Sequence, residues 1–133
     1  MYEIAKHFLQ FAKELVGLGT TLQKANLEKR TRLAMHIEGI ADCLTAIAVA
    51  FRERRVPNEQ CGALDEYVRS LPTTCEGVVS ADDIEHFQET LQMRAHARAM
   101  MSIFTDDKAT EDEIDGMDRA AGQLKAFASS LRT

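Results

Sequence analysis

Four histidines, three cysteines and a run of carboxylates are the side chains in this sequence with the most chemistry to offer. His7, His36, His86 and His96 could ligate a metal or move protons, Cys43, Cys61 and Cys75 could act as nucleophiles, and the acids from Asp106 to Asp118 could hold a hard cation. Their spacing argues against each. A di-iron bundle site takes two Glu-x-x-His pairs, and the nearest approach is Asp83 with His86, which occurs once. A catalytic cysteine needs a base and an electropositive setting, yet no cysteine here has a histidine beside it in sequence. Cys61 falls on an apolar stripe and Cys43 near one, which reads as buried thiols. Cys75 falls in an expected loop and is the thiol expected to react most readily. The acidic run lacks the alternating ligands and central glycine of an EF-hand. Gly17-Leu18-Gly19 is a lone GxG inside a helical stripe, with no strand before it to make a phosphate loop. The expectation is no catalytic residue, no cofactor, no metal, and a chain that is not an enzyme.

The elements that would position these residues are helices. Ile4, Phe8, Phe11, Leu15, Leu18 and Leu22 recur every three or four residues, and Leu33, Ile37, Ile40, Leu44, Ile47 and Phe51 repeat the pattern 29 residues later. Each stripe has a small-residue edge, first Ala5, Ala12 and Gly19, then Ala34, Ala41 and Ala48, which lets helix axes approach closely. The segments read as a long antiparallel N-terminal pair, with Asn26 as the only capping residue at the turn. One continuous helix is the alternative; at about 50 residues it would be roughly 75 Å long and would need a dimer to cover it.

Pro57 opens a third helix carrying Cys61, Leu64, Val68 and Leu71, and Pro72 is expected to close it before a loop to Val79. Ser80 with Asp83 forms a capping box for a fourth helix expected to end near Phe104, and Thr110 with Glu113 forms another for the last. The fold class is therefore all-α, a bundle of about five helices in one domain over residues 1–133.

The fourth helix carries two apolar faces. Ile84, Phe87, Leu91 and Ala95 form one; Met93, Ala97, Met100 and Phe104, with His86 and Thr90 in line and Met101 flanking, form the other. The second face is either an internal layer of the bundle or a surface for a partner chain, since methionine adapts to irregular contacts. As an interface its residues are His86, Met93, Ala97, Met100, Met101 and Phe104, and a homodimer is its simplest use.

Composition narrows the partners. The net charge is −5, against a dedicated nucleic-acid binder. The charge is uneven: nine Lys or Arg against six Asp or Glu over residues 1–55, then seven against fifteen. Such asymmetry can steer partners or draw two halves of one fold together. The basic clusters, Lys29, Arg30 and Arg32, then Arg52, Arg54 and Arg55, lie roughly 30 Å apart along one helix and make no single patch. Three cysteines without CxxC spacing, Glu3 and Lys6 in the first turns, and no run of 18 apolar residues lead to the expectation of reduced thiols, no signal peptide, no membrane span and a cytoplasmic location.

The stretch from Glu28 to Pro72, with its IADCLTAIA run, its arginine cluster and the spacing of Pro57, Cys61, Leu64, Tyr67 and Leu71-Pro72, resembles helical domains found beside NTPase or effector modules in bacterial signalling and conflict-system proteins. The resemblance covers about a third of the chain and implies an interaction or self-association module that accompanies a catalytic partner. The sequence thus leads to a non-enzymatic adaptor that binds protein or itself, in bacterial signalling or defence. The alternative is a bundle holding a small apolar ligand or metal between helices, and a third reading is weak nucleic-acid binding through the basic clusters.

Overall fold

A computed structural model describes the backbone of residues 3–55, 57–91 and 107–133, and the side chains of 5–55, 57–91 and 111–133. Among them are six helices and no strand: α1 (Glu3–Gly17), α2 (Gly19–Gln23), α3 (Leu27–Arg52), α4 (Asn58–Cys75), α5 (Ala81–Thr90) and α6 (Asp107–Leu131). The fold is the expected all-α bundle. Its core is drawn from every helix, with Phe8, Phe11 and Leu15, Leu22, the α3 stripe from Leu33 to Phe51, Leu64, Phe87 and the α6 stripe from Ile114 to Leu131 in one buried cluster.

The N-terminal stripes are separate helices. Leu18 leaves the helical region (φ −96, ψ 3) and its N–H is shared between the Glu14 and Leu15 carbonyls at 3.2 and 3.0 Å. The flanking glycines, Gly17 and Gly19, make helix continuation costly there, so the GxG is a helix break. The chain then turns through Lys24 and Ala25, and Asn26 caps α3 by accepting from the Lys29 N–H at 2.9 Å. The small-residue edges have a different use from mutual packing. The most extensive interfaces are α3 with α6, α1 with α6 and α3 with α4. The C-terminal helix therefore lies against both N-terminal ones. Its approach to α1 is close enough that a Cβ at Gly116 would sit 2.6 Å from the Ala5 methyl.

Charge follows the same geometry. Arg52 pairs with Asp118 and, at 3.6 Å, with Asp115, joining the basic half of the chain to the acidic half. Lys125–Asp42 at 2.9 Å and Arg132–Glu38 join the same two helices with the signs reversed. Beyond Arg52 the chain closes with the hydrogen bonds of a Schellman motif, Arg55 N–H to Ala50 O at 2.8 Å and Arg54 N–H to Phe51 O at 3.0 Å, and Arg54 takes the left-handed position (φ 56).

Three sequence expectations are corrected. α4 runs through Pro72 for another turn, because Cys75 is fully buried and Thr74 bonds His36, contacts that outweigh the one backbone hydrogen bond a proline removes. Ser80 caps α5 as expected, accepting from Asp83 N–H at 3.2 Å, but α5 stops at Thr90, where the buried Leu91 turns away at φ −101, ψ 35. α6 starts at Asp107, so Thr110 lies inside it and Glu113 serves another helix. By length and composition alone α3 is apolar enough to cross a membrane, although no 18 apolar residues are consecutive; half of that window is buried in the bundle, as the core helix of a bundle would be.

Candidate functional site

The described histidines each tie two helices together. His7 on α1 donates through Nδ1 to the Thr90 carbonyl of α5 at 2.7 Å. His36 on α3 donates through Nε2 to the Tyr67 carbonyl of α4 at 2.6 Å, which leaves Nδ1 to accept from the Thr74 hydroxyl at 3.0 Å. His86 on α5 donates to Glu14 Oε1 of α1 at 2.9 Å. His7 and His86 are brought to the same α1–α5 seam and His36 to another. Among the described residues no three His, Cys, Asp or Glu side chains are grouped as metal ligands.

The α1–α5 seam centres on Glu14, which sequence reasoning passed over because a lone glutamate on a helix carries no spacing signal. Its side chain is 13% exposed, and Oε1 accepts from His86, from Thr90 Oγ1 at 3.3 Å and from Gln10 Nε2 at 3.3 Å. Oε2 is buried without a hydrogen-bond partner among the described residues. The cluster is a polar bolt between helices. The Thr90 hydroxyl beside it is turned to the carboxylate.

The cysteines form no disulfide and are held as thiols. Burial raises Cys43, pushes Cys61 up to about 11 and pushes Cys75 up to about 12. Cys75 is fully buried at the end of α4, not in a loop, so the expectation that it is the reactive thiol is reversed. Of the basic clusters, Arg30 bonds Gln23 Oε1 at 2.7 Å and the Thr133 carbonyl, Arg32 bonds Glu28, Arg52 bonds Asp118 and Arg55 bonds Glu53.

An open concavity runs between α3 and α4. It has a volume of about 380 Å³ and is lined by Gly39, Asp42, Cys43 and Ala46 on α3, and by Glu59, Gln60, Ala63 and Tyr67 on α4. The residues fall at helical spacing on both walls, so two facing stripes make a groove. Its width at one end is set by Gly39, where a Cβ would lie 2.4 Å from the Tyr67 ring; that ring also stands edge-on to His36 at 5.3 Å. The α3 stripe extends past both ends of the groove to Met35 and Val49, which are 61% and 41% exposed. The exposed side of α3 thus carries Met35, Asp42 and Val49, and the groove wall lies along it.

Of the interface expected on the fourth helix, only His86 is described; Met93, Ala97, Met100, Met101 and Phe104, like His96, lie outside the described residues. The groove was missed in the sequence because Gly39, Ala46 and Ala63 carry no hydrophobic signal of their own. A 4, 3, 4, 3 spacing from Met35 through Gly39, Asp42 and Ala46 to Val49 was the available clue. Comparison of the chain with family models, with curated proteins and with solved structures finds no match.

Proposed function

We propose that the chain is a non-enzymatic helical module that binds protein, with the α3–α4 groove as its docking surface. The observation that carries this reading is the uncovered strip of α3. A helix otherwise buried against α6 and α4 presents Met35 and Val49 to solvent at either end of a small-residue floor formed by Ala46 and Ala63, with Gly39 covered by the Tyr67 ring. A small-residue floor edged by exposed apolar side chains has the shape of a helix-in-groove contact, since small side chains allow a second helix to approach. The polar chemistry supports the same reading: the described histidines are engaged between helices and the thiols are held protonated. The resemblance of residues 28–72 to helical domains that accompany NTPase or effector modules agrees with it.

A small apolar ligand is the second reading, favoured by one observation. The groove volume falls in the range of small-molecule sites, about 300–1,000 Å³. Native mass spectrometry of the purified protein separates the two, because a stoichiometric small adduct belongs only to the ligand reading.

The direct test is a photo-crosslinking residue at Ala63, with Glu85 on the exposed face of α5 as control, in the cells that make the protein. The expected result is one discrete protein adduct from position 63 that disappears when Ala46→Arg fills the opposite wall. No adduct at 63, or equal adducts at 63 and 85, would overturn the reading.

A further inference from the structure

We propose that the occupant of the α3–α4 groove is α1 of a second copy of this chain. The inference rests on the interaction reading above and adds the identity of the partner.

Two surfaces of the chain are complementary in charge and in spacing. On α4, Glu59 lines the groove and the exposed Glu66, seven residues on along the same helix face, lies at its margin, with the exposed Ala63 between them. Neither glutamate forms an ion pair with a described residue. On α1, the outer face carries Lys6 and Lys13, also seven residues apart, with Gln10 between them and no acid from Lys6 to Lys13. Neither lysine is ion-paired with a described residue. Seven residues are two helical turns, about 10.5 Å, so two cations on one helix can meet two carboxylates on the other without a change of register.

Apolar surface lies where the same docking needs it. Val16, one turn beyond Lys13, is 63% exposed, and Leu9 is only partly covered on the same side of α1. Together they form a narrow apolar edge beside the lysines, at 9 and 16, which can cover one of the exposed groove-side residues, Met35 or Val49. The other groove carboxylate, Asp42, is satisfied within the chain by Lys125, so Glu59 and Glu66 are the carboxylates a second copy meets. The patches that meet are different parts of the chain, so the contact is heterologous. It either closes with the reciprocal contact in a dimer or adds copies end to end. Contacts made by exposed charges weaken with salt.

The experiment is sedimentation equilibrium of the full chain at low and high salt, with two charge-reversed variants. One is Glu59→Lys with Glu66→Lys; the other is Lys6→Glu with Lys13→Glu. All changes are on exposed helix positions, and circular dichroism checks that helicity is kept. The wild type is expected to rise above 14.8 kDa with concentration at low salt and to fall back toward it at about 1 M salt. Each variant alone is expected to stay a monomer, and their equimolar mixture is expected to associate again, because each supplies the face the other has lost. A wild type that remains monomeric throughout, variants that associate as well as the wild type, or a mixture that stays monomeric would overturn the proposal. A monomeric wild type that still gives a discrete adduct at position 63 would overturn it while leaving the interaction reading standing.

Discussion

Glu113 of α6 accepts a hydrogen bond from the Ala5 N–H of α1 at 2.7 Å, and its own side chain is only 1% exposed. A helix N-terminus leaves its first N–H groups unsatisfied, and a carboxylate there also meets the positive pole of the helix. Here the acceptor comes from another helix, 108 residues on. Three residues further along α6, Gly116 lies against the same Ala5. Capping and close packing are thus two parts of one joint between the ends of the chain.

Glu113→Ala is expected to lower stability by about 1–3 kcal/mol, the range for deleting a charged partner from a buried donor. Urea unfolding measures the loss. Hydrogen exchange should show the first turn of α1 losing protection before α3 does; equal loss everywhere would contradict a local capping role.

Gly116→Ala places a methyl 2.6 Å from the Ala5 methyl and is expected to cost about 1–3 kcal/mol as overpacking. Ala5→Gly in the same chain should recover part of it. Gly39→Ala should cost less, although its nearest atom is closer, because the Tyr67 ring is half-exposed and can swing aside.

The Glu14–His86 pair is half in solvent, with the His86 side chain 58% exposed. A double-mutant cycle with His86→Ala and Glu14→Ala is expected to give a coupling below about 1 kcal/mol. A larger coupling would mean that the pair is a main clamp of α5 and not one of several contacts.

The thiols give a pH prediction. A group whose folded pKa lies above its unfolded value leaves stability intact below the unfolded value and lowers it as pH rises toward the folded one. Cys75, raised from 9.0 to about 12, should therefore contribute a fall in stability between those limits. Cys75→Ala should make the slope over that interval shallower. In alkylation of the native protein, Cys61 should react before Cys75, the reverse of what a loop position for Cys75 would give.

Much of this fold is legible in the sequence because burial imposes a period. Phe8, Phe11 and Leu15, and Ile37, Ile40, Leu44 and Ile47, sit at spacings that only a helix can bury together, and they are buried. Ser80 and Asn26 announce helix starts because their side chains compete for the same orphan N–H groups in any context. What periodicity does not encode is which helix faces which. Ala5 advertises close approach, but it is Gly116 of α6 that makes it, a pairing decided by contacts far apart in the chain. Pro72 reads as a stop locally and is overruled by the burial of Cys75. The groove was hidden for a related reason: its floor is made of residues that are small, and absence of side chain leaves no pattern to read.

The most direct measurement is a dilution series of amide chemical shifts, from about 1 mM to about 20 µM, a range wide enough to empty a weak complex. The expected result is concentration-dependent shifts at Gly39, Ala46, Ala63 and Tyr67, together with Lys6, Lys13 and Val16. Spectra that superimpose over the whole range, or changes confined to the outer face of α5, would contradict a groove that docks the helix of a second copy.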